Sequence, residues 1–158
     1  MLQPFSDFRG SFTKIVDFSK LKFPILETSI ARTKRRGVIR GLHYLDLSLN
    51  EHKYIHCSQG SIYDVVVDMR SQSPTFRTFM TFDLSSERPS LLRVPPGFAH
   101  GYLTLTRDVE VIYGMTAEYD SSREKGLRWD DPSLAIPWPI RPKYVSQKDS
   151  SWELLEAR

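Results

Sequence analysis

Cysteine is nearly missing from this 158-residue chain. Cys57 stands alone, so no disulfide can form within it. A reducing compartment, the cytoplasm, is the expected location. No apolar run approaches the roughly 20 residues that a membrane-spanning helix needs. The opening Met1-Leu-Gln-Pro-Phe-Ser-Asp7 also lacks the basic start and apolar stretch of a secretory leader. Charge of one sign is scarce, and a net +3 is too small to argue for nucleic acid as a partner. Helix-period patterning is missing before residue 145, and so are internal repeats and low-complexity linkers. What remains, at 40% hydrophobic and 26% charged, is an ordinary soluble composition. The expectation is one domain over residues 1–158, long enough for a sizeable core.

What is present is alternation broken by turns. Strands are expected in Asp7–Ile15, Ile25–Lys34, Arg36–Tyr44, Glu51–Cys57, Ile62–Met69, Thr78–Leu84, Leu91–Val94, Tyr102–Thr106 and Val109–Tyr113. Turn signals recur about every ten residues, which points to an all-β sandwich or barrel. Ile62–Met69 reads as buried on both faces. Pro132–Pro142 carries four prolines and reads as an extended surface segment. Ser150–Ala157 reads as a short C-terminal helix, with Ser150 and Glu153 as its capping box.

Three stretches carry chemistry. The first is Arg36-Gly-Val-Ile-Arg-Gly-Leu-His-Tyr44. In a regular strand Arg40 and His43 would face opposite ways, but Gly41 between them permits a bulge that re-aims a side chain. The others are Pro95-Pro-Gly-Phe-Ala-His-Gly-Tyr102 and Ser146-Gln-Lys-Asp149. Lys53 falls on the same strand face as Ile55 and Cys57, where a lysine needs an anion unless its head reaches solvent. Arg32, Lys34, Arg35, Arg36 and Arg40 form a basic cluster suited to an anion such as a diphosphate, or simply a solvated loop.

The motifs RGVIRGLHY, GSIYDVVVDMRSQSPTF, VPPGFAHGY, the strand ending in Tyr113, LRWDDPSLAIPWP and SQKD stand in one order from Asp7 to Asp149. Together they resemble the dTDP-4-dehydrorhamnose 3,5-epimerase family. The resemblance implies a cupin-type double-stranded β-helix, or jelly roll. It also implies a homodimer with swapped N-terminal strands, and neither a metal nor an organic cofactor. It assigns catalysis to His43 as general base, Asp149 as its carboxylate partner, Tyr113 as general acid and Lys53 near the keto oxygen. It assigns substrate contacts to Arg9, Phe12, Arg40, His100, Tyr119, Glu124 and Lys148.

The implied chemistry suits these residue types. A 4-keto group acidifies the C3 and C5 protons of a nucleotide-linked hexose. Epimerisation then needs a base on one face of the ring and an acid on the other, with a cation at the enolate oxygen. Other uses of such a scaffold are a nucleotide-4-ketosugar 3,4-ketoisomerase, a non-catalytic sugar-binding cupin, or a metal cupin using His43, His52, His56 and His100. The last lacks the close His-x-His spacing such sites favour. The chain also departs from the family. Lys14 stands in place of a glutamate, Thr28 and Ile30 in place of a Gln-x-Asn pair, Arg32 and Lys34 in place of serines, and Leu45 in place of a glutamine. A complete acid–base set beside altered nucleotide-side positions implies a changed nucleotide or sugar, such as a CDP- or GDP-linked hexose, or inversion at a single carbon.

Overall fold

Alternation sorts the strands into two facing layers. On the strand Val109–Met115, Val109 and Val111 are buried while Glu110 and Ile112 turn to the other side. The computed structural model describes residues 2–155. Among them the strands are β1 (Pro4–Asp7), β2 (Gly10–Thr13), β3 (Glu27–Thr33), β4 (Ile39–Leu45), β5 (Lys53–Gln59), β6 (Ser61–Asp68), β7 (Phe79–Ser85), β8 (Leu92–Val94), β9 (Phe98–Thr104), β10 (Val109–Met115) and β11 (Glu124–Gly126), followed by a helix, α1 (Gln147–Ser151).

β1 and β2 form a separate hairpin. One sheet runs β3-β10-β5-β8 and the other β11-β4-β9-β6-β7, with neighbours antiparallel throughout. Ile55, Cys57, Val109 and Val111 of the first sheet meet Ile62, Val66, Leu84 and Tyr102 of the second in the central core. This is the jelly-roll arrangement the sequence leads one to expect. The second sheet is also covered on its back, where Leu42, Val65, Val67 and Ala99 pack with Leu127, Leu134, Ile136 and Trp138. β6 is therefore buried on both faces, as its apolar run implies. The proline-rich segment is the cover: Trp138 donates its indole N–H to the Trp129 carbonyl at 2.9 Å and meets Tyr63 edge-on.

Four elements differ from the sequence reading. The strand expected over Asp7–Ile15 is split by a turn after Asp7, with β1 before it and β2 only over Gly10–Thr13. β9 starts at Phe98, directly after the Gly97 turn, so His100 lies within a strand. β11 is only three residues long, too short to leave an alternation signal. The helix lies earlier than Ser150–Ala157: Ser146, not Ser150, is the N-cap, accepting from the Asp149 amide at 3.0 Å. The end of the expected helix falls outside the described residues.

The bulge at Gly41 is present. Arg40 pairs with Tyr102 and His43 with His100, so three steps on β4 oppose two on β9. Gly41 has φ +112°, and a methyl group there would lie 2.6 Å from Gly101 Cα and 2.7 Å from the His100 carbonyl oxygen. Both the torsion and the close approach of β9 demand glycine. A Gly41→Ala substitution is expected to cost about 1–3 kcal/mol of unfolding free energy, the range for a side chain forced into a strained site. Urea denaturation checks this, and an unchanged midpoint would contradict it.

Candidate active site

One cavity of about 320 Å³ opens between the two sheets. The second sheet contributes Arg40 and His43 from β4, His100 from β9 and Glu124 from β11. The first contributes Lys53 from β5 and Tyr113 from β10, and the segment after β10 adds Tyr119. The bulge is what lets Arg40 and His43 both line it.

His43 is held from behind by the tail of the chain. Its Nε2 lies 2.7 Å from Asp149 Oδ1, and the other Asp149 oxygen accepts the Gly41 amide at 3.2 Å. Burial pushes the Asp149 carboxyl up, but the bonds from His43 and Gly41 outweigh it, and the group lies below its ordinary value. Asp149 is therefore a carboxylate that accepts from Nε2–H, leaving Nδ1 as the basic nitrogen. On that side Glu124 Oε1 stands 3.7 Å away. Glu124 is itself anchored by Lys148 and by the Tyr119 hydroxyl at 2.6 Å. Burial raises its carboxyl, yet those donors bring it below its usual range.

Across the cavity Tyr113 has the opposite character. Burial, the neighbouring Tyr102 hydroxyl and Asp64 hold its phenol well above the ordinary value, so it keeps its proton. Lys53 Nζ sits 3.4 Å from the His43 carbonyl and 3.4 Å from Glu51 Oε2. Arg40 donates to Thr33 Oγ1. His100 bonds Asp64 Oδ2 at 2.7 Å, with both side chains buried.

The structure thus gathers His43, Lys53, Arg40, His100, Tyr113, Tyr119 and Glu124 around one space, with Asp149 and Lys148 directly behind. It does not bring Arg9 and Phe12 there. They lie on the exposed hairpin, with Arg9 paired to Asp7 at 2.6 Å. The basic cluster disperses: Arg40 enters the cavity, Arg32 pairs with Glu110 at 2.8 Å, Arg35 stacks on Tyr144, and Arg36 bonds the Leu105 carbonyl. The four histidines do not form one cluster: His43 and His100 share the cavity, and the other two do not join them. His52 stacks on Phe23 and His56 bonds the Ser90 carbonyl, both away from His43 and His100. Among the described residues no group of three or more His, Cys, Asp or Glu is placed to hold a metal ion. No helix there is long and apolar enough to cross a membrane.

Sequence reasoning missed Glu51 and Asp64. Glu51 lines the cavity, and burial raises its carboxyl despite Lys53 beside it. Its position two residues before Lys53, on the same face, was the available signal. For Asp64 the signal was a carboxylate inside the apolar run Ile62–Val67.

The model of the family described as dTDP-4-dehydrorhamnose 3,5-epimerase matches residues 1–157. The chain belongs to that family. The dTDP-4-dehydrorhamnose 3,5-epimerase of Sinorhizobium fredii is 36% identical over 153 residues, covering 93% of this chain and 78% of the relative. That of Salmonella typhimurium is 34% identical over 165 residues, covering 99% and 90%. Among solved structures, the Bacillus anthracis dTDP-4-dehydrorhamnose 3,5-epimerase with TDP and PPi bound matches at TM-score 0.93 and 35% identity, covering 98% of this chain and 91% of that one. A 3'-monoepimerase from Streptomyces bikiniensis in complex with dTDP-quinovose matches at TM-score 0.92 and 29% identity, covering 97% and 80%. These epimerases share the cupin-type sandwich, and the protein is an isomerase of the same carbohydrate-epimerase type.

The depressed Asp149 carboxyl makes a pH prediction for this family member. Folding favours its ionised form, so its contribution to stability is complete above the ordinary aspartate value near 4 and is lost as pH falls through the lower folded value. Urea midpoints of the wild type and Asp149→Asn are expected to differ at neutral pH and to converge below about pH 4. Parallel curves down to acid would contradict the assignment.

Proposed function

We propose that the protein epimerises a nucleotide-linked 4-keto hexose at C3, C5 or both, through an enolate, in deoxysugar biosynthesis. The observation that carries this is the placement of a base and a protonated acid on opposing sheets of one cavity: His43 on β4 and Tyr113 on β10. A ring between them presents one face to each. His43 Nδ1 removes the proton, and Asp149 stabilises the imidazolium. The Lys53 ammonium meets the oxygen where enolate charge develops. Tyr113 returns a proton on the other face. Arg40 and His100 hold the substrate, as do Tyr119 and Glu124, with Lys148 anchoring Glu124 from behind.

The relatives' names point to a dTDP-linked sugar, and that is the first substrate to test. The departures from the family leave the residues of the proton transfer in place. Of Lys14, Thr28, Ile30, Arg32, Lys34 and Leu45, only Leu45 lines the cavity. Glu27, Ser29 and Ala31, the inward positions of β3, line it instead.

The reading extends to one domain working as a homodimer. The hairpin stands off the sandwich with Phe5, Phe8 and Phe12 exposed by 71, 98 and 68%. Phe18, Leu26 and Ile30 are exposed as well. Exposed large apolar side chains in this number fit burial against a second copy. Exchange of hairpins would carry Arg9 and Phe12 to the partner's cavity. Sedimentation is expected to give twice the 18.3 kDa chain mass; a monomer at micromolar concentration would oppose the dimer.

The chemistry is tested by deuterium uptake from heavy water into dTDP-, CDP-, GDP- and UDP-linked 4-keto sugars. Uptake at C3, C5 or both is expected for at least one of them, with a fall of about 10²–10⁴-fold in His43→Ala and in Tyr113→Phe, the usual range for general acid–base groups. A product whose carbonyl has moved would make the protein a ketoisomerase. No uptake from any nucleotide would leave a binding protein.

A further inference from the structure

Trp152 has no part in the proton path described above, yet it touches the base. It follows α1 directly, and its ring centroid lies 6.3 Å from that of His43, with the planes at 62°. The space it fills is made by a glycine. Gly126 of β11 is the ladder partner of His43, so a side chain there would rise on the same face as the imidazole. A methyl group at Gly126 would overlap Cε2, Nε1 and Cδ2 of the indole. The missing side chain is a slot, and the indole lies in it.

Hydrogen bonding among the described residues does not explain that placement, because the indole Nε1 is buried without a partner among them. A buried tryptophan N–H usually finds an acceptor. Shape and the anchors on either side set the ring instead. Before it, Asp149 is tied to His43 and Gly41, and Ser146 caps the helix. After it, the Leu155 amide bonds Asp131 Oδ2 at 2.6 Å. Trp152 is the wedge between two fastened points.

His43 needs such a wedge. One hydrogen bond from Nε2 to Asp149 fixes one corner of the imidazole and leaves the ring free to tilt about it. Tilting would swing Nδ1 away from the cavity. We propose that Trp152 is a positioning residue for the base: seated in the Gly126 slot, it fixes the plane of the His43 ring so that Nδ1 faces the substrate. The inference rests on His43 being the base, as proposed above. Trp152 touches no reacting atom and acts through His43 alone.

The test uses the full chain carrying Trp152→Ala, Trp152→Phe, Gly126→Ala and the Gly126→Ala/Trp152→Ala pair. The assay is deuterium uptake into the nucleotide-linked 4-keto sugar that the wild type turns over fastest of the four named above. Trp152→Ala is expected to lower kcat by about 10–100-fold, the scale of a small misplacement of a catalytic group, with KM within about threefold. Trp152→Phe restores most of kcat, because a ring refills the slot. Gly126→Ala reproduces the loss by expelling the indole, and the double variant is no worse than either single one, the mark of a shared cause. Nitrogen-detected NMR of the imidazole gives a readout independent of turnover. The Nε2–H tautomer bound to Asp149 persists in Trp152→Ala, while the ring signals shift and broaden.

Wild-type kcat in Trp152→Ala would overturn the proposal, and so would an imidazole spectrum unchanged by that substitution. Loss of the Nε2–H signal, as in Asp149→Asn, would also overturn it, since Trp152 would then only fasten the tail. Full deuterium uptake in His43→Ala would instead sink the reading of His43 as base, whatever the spectra show.

Discussion

The bond between His43 and Asp149 is the constraint on which the rest of the site depends. It joins a strand near the start of the sandwich to a helix near the end of the described chain, 106 residues apart in sequence. Each residue holds the other: Asp149 fixes the tautomer of the imidazole, and the His43 and Gly41 donors outweigh the burial that pushes the Asp149 carboxyl up. The fold meets this constraint from both directions. A bulge turns His43 into the cavity, and the Ser146 cap, Trp152 and the Leu155–Asp131 bond fasten the tail over it.

The same economy divides acid from base. Two sheets packed face to face present two sets of inward side chains to the space between them, one from each side. Burial does opposite things at the two poles. At Tyr113 it is reinforced by an adjacent tyrosine and a carboxylate, so the phenol keeps its proton. At Asp149 and Glu124 it is overcome by donors, so the carboxylates keep their charge. The result is an imidazole flanked by two carboxylates, facing a phenol that stays protonated.

How much of this was legible in the sequence depends on the range of the interaction. Alternation within a strand is local, so the inward set of β10 and the double burial of β6 could be read directly. Gly41 was legible as a bulge because a glycine between two functional residues of the wrong spacing has few other uses. The family resemblance supplied Asp149 and Tyr113, which no local pattern links to His43. The helix was misplaced because Ser150-Ser-Trp-Glu offers a capping box as plausible as Ser146-Gln-Lys-Asp. Tertiary bonds to His43 and Gly41 decided between them. β11 was invisible because three residues make a strand only when β4 is there to pair with. Glu51 and Trp152 were overlooked because each gains its meaning from a neighbour, Lys53 and Gly126, that only the fold puts beside it.

The period of a strand also separates two properties that evolution can then vary independently. On β3 the odd positions Glu27, Ser29 and Ala31 line the cavity, while Thr28 and Ile30 point out of it. Thr28 and Lys14 line a second, largely apolar hollow on the outer side of the same sheet. A substitution at an even position changes that outer surface and leaves the carboxylates, the lysine and the phenol of the cavity where they were. The positions at which this chain departs from its family fall almost wholly in the outer set, with Leu45 the exception. Two-residue periodicity permits this because one face of the strand lines the cavity while the other forms a separate surface.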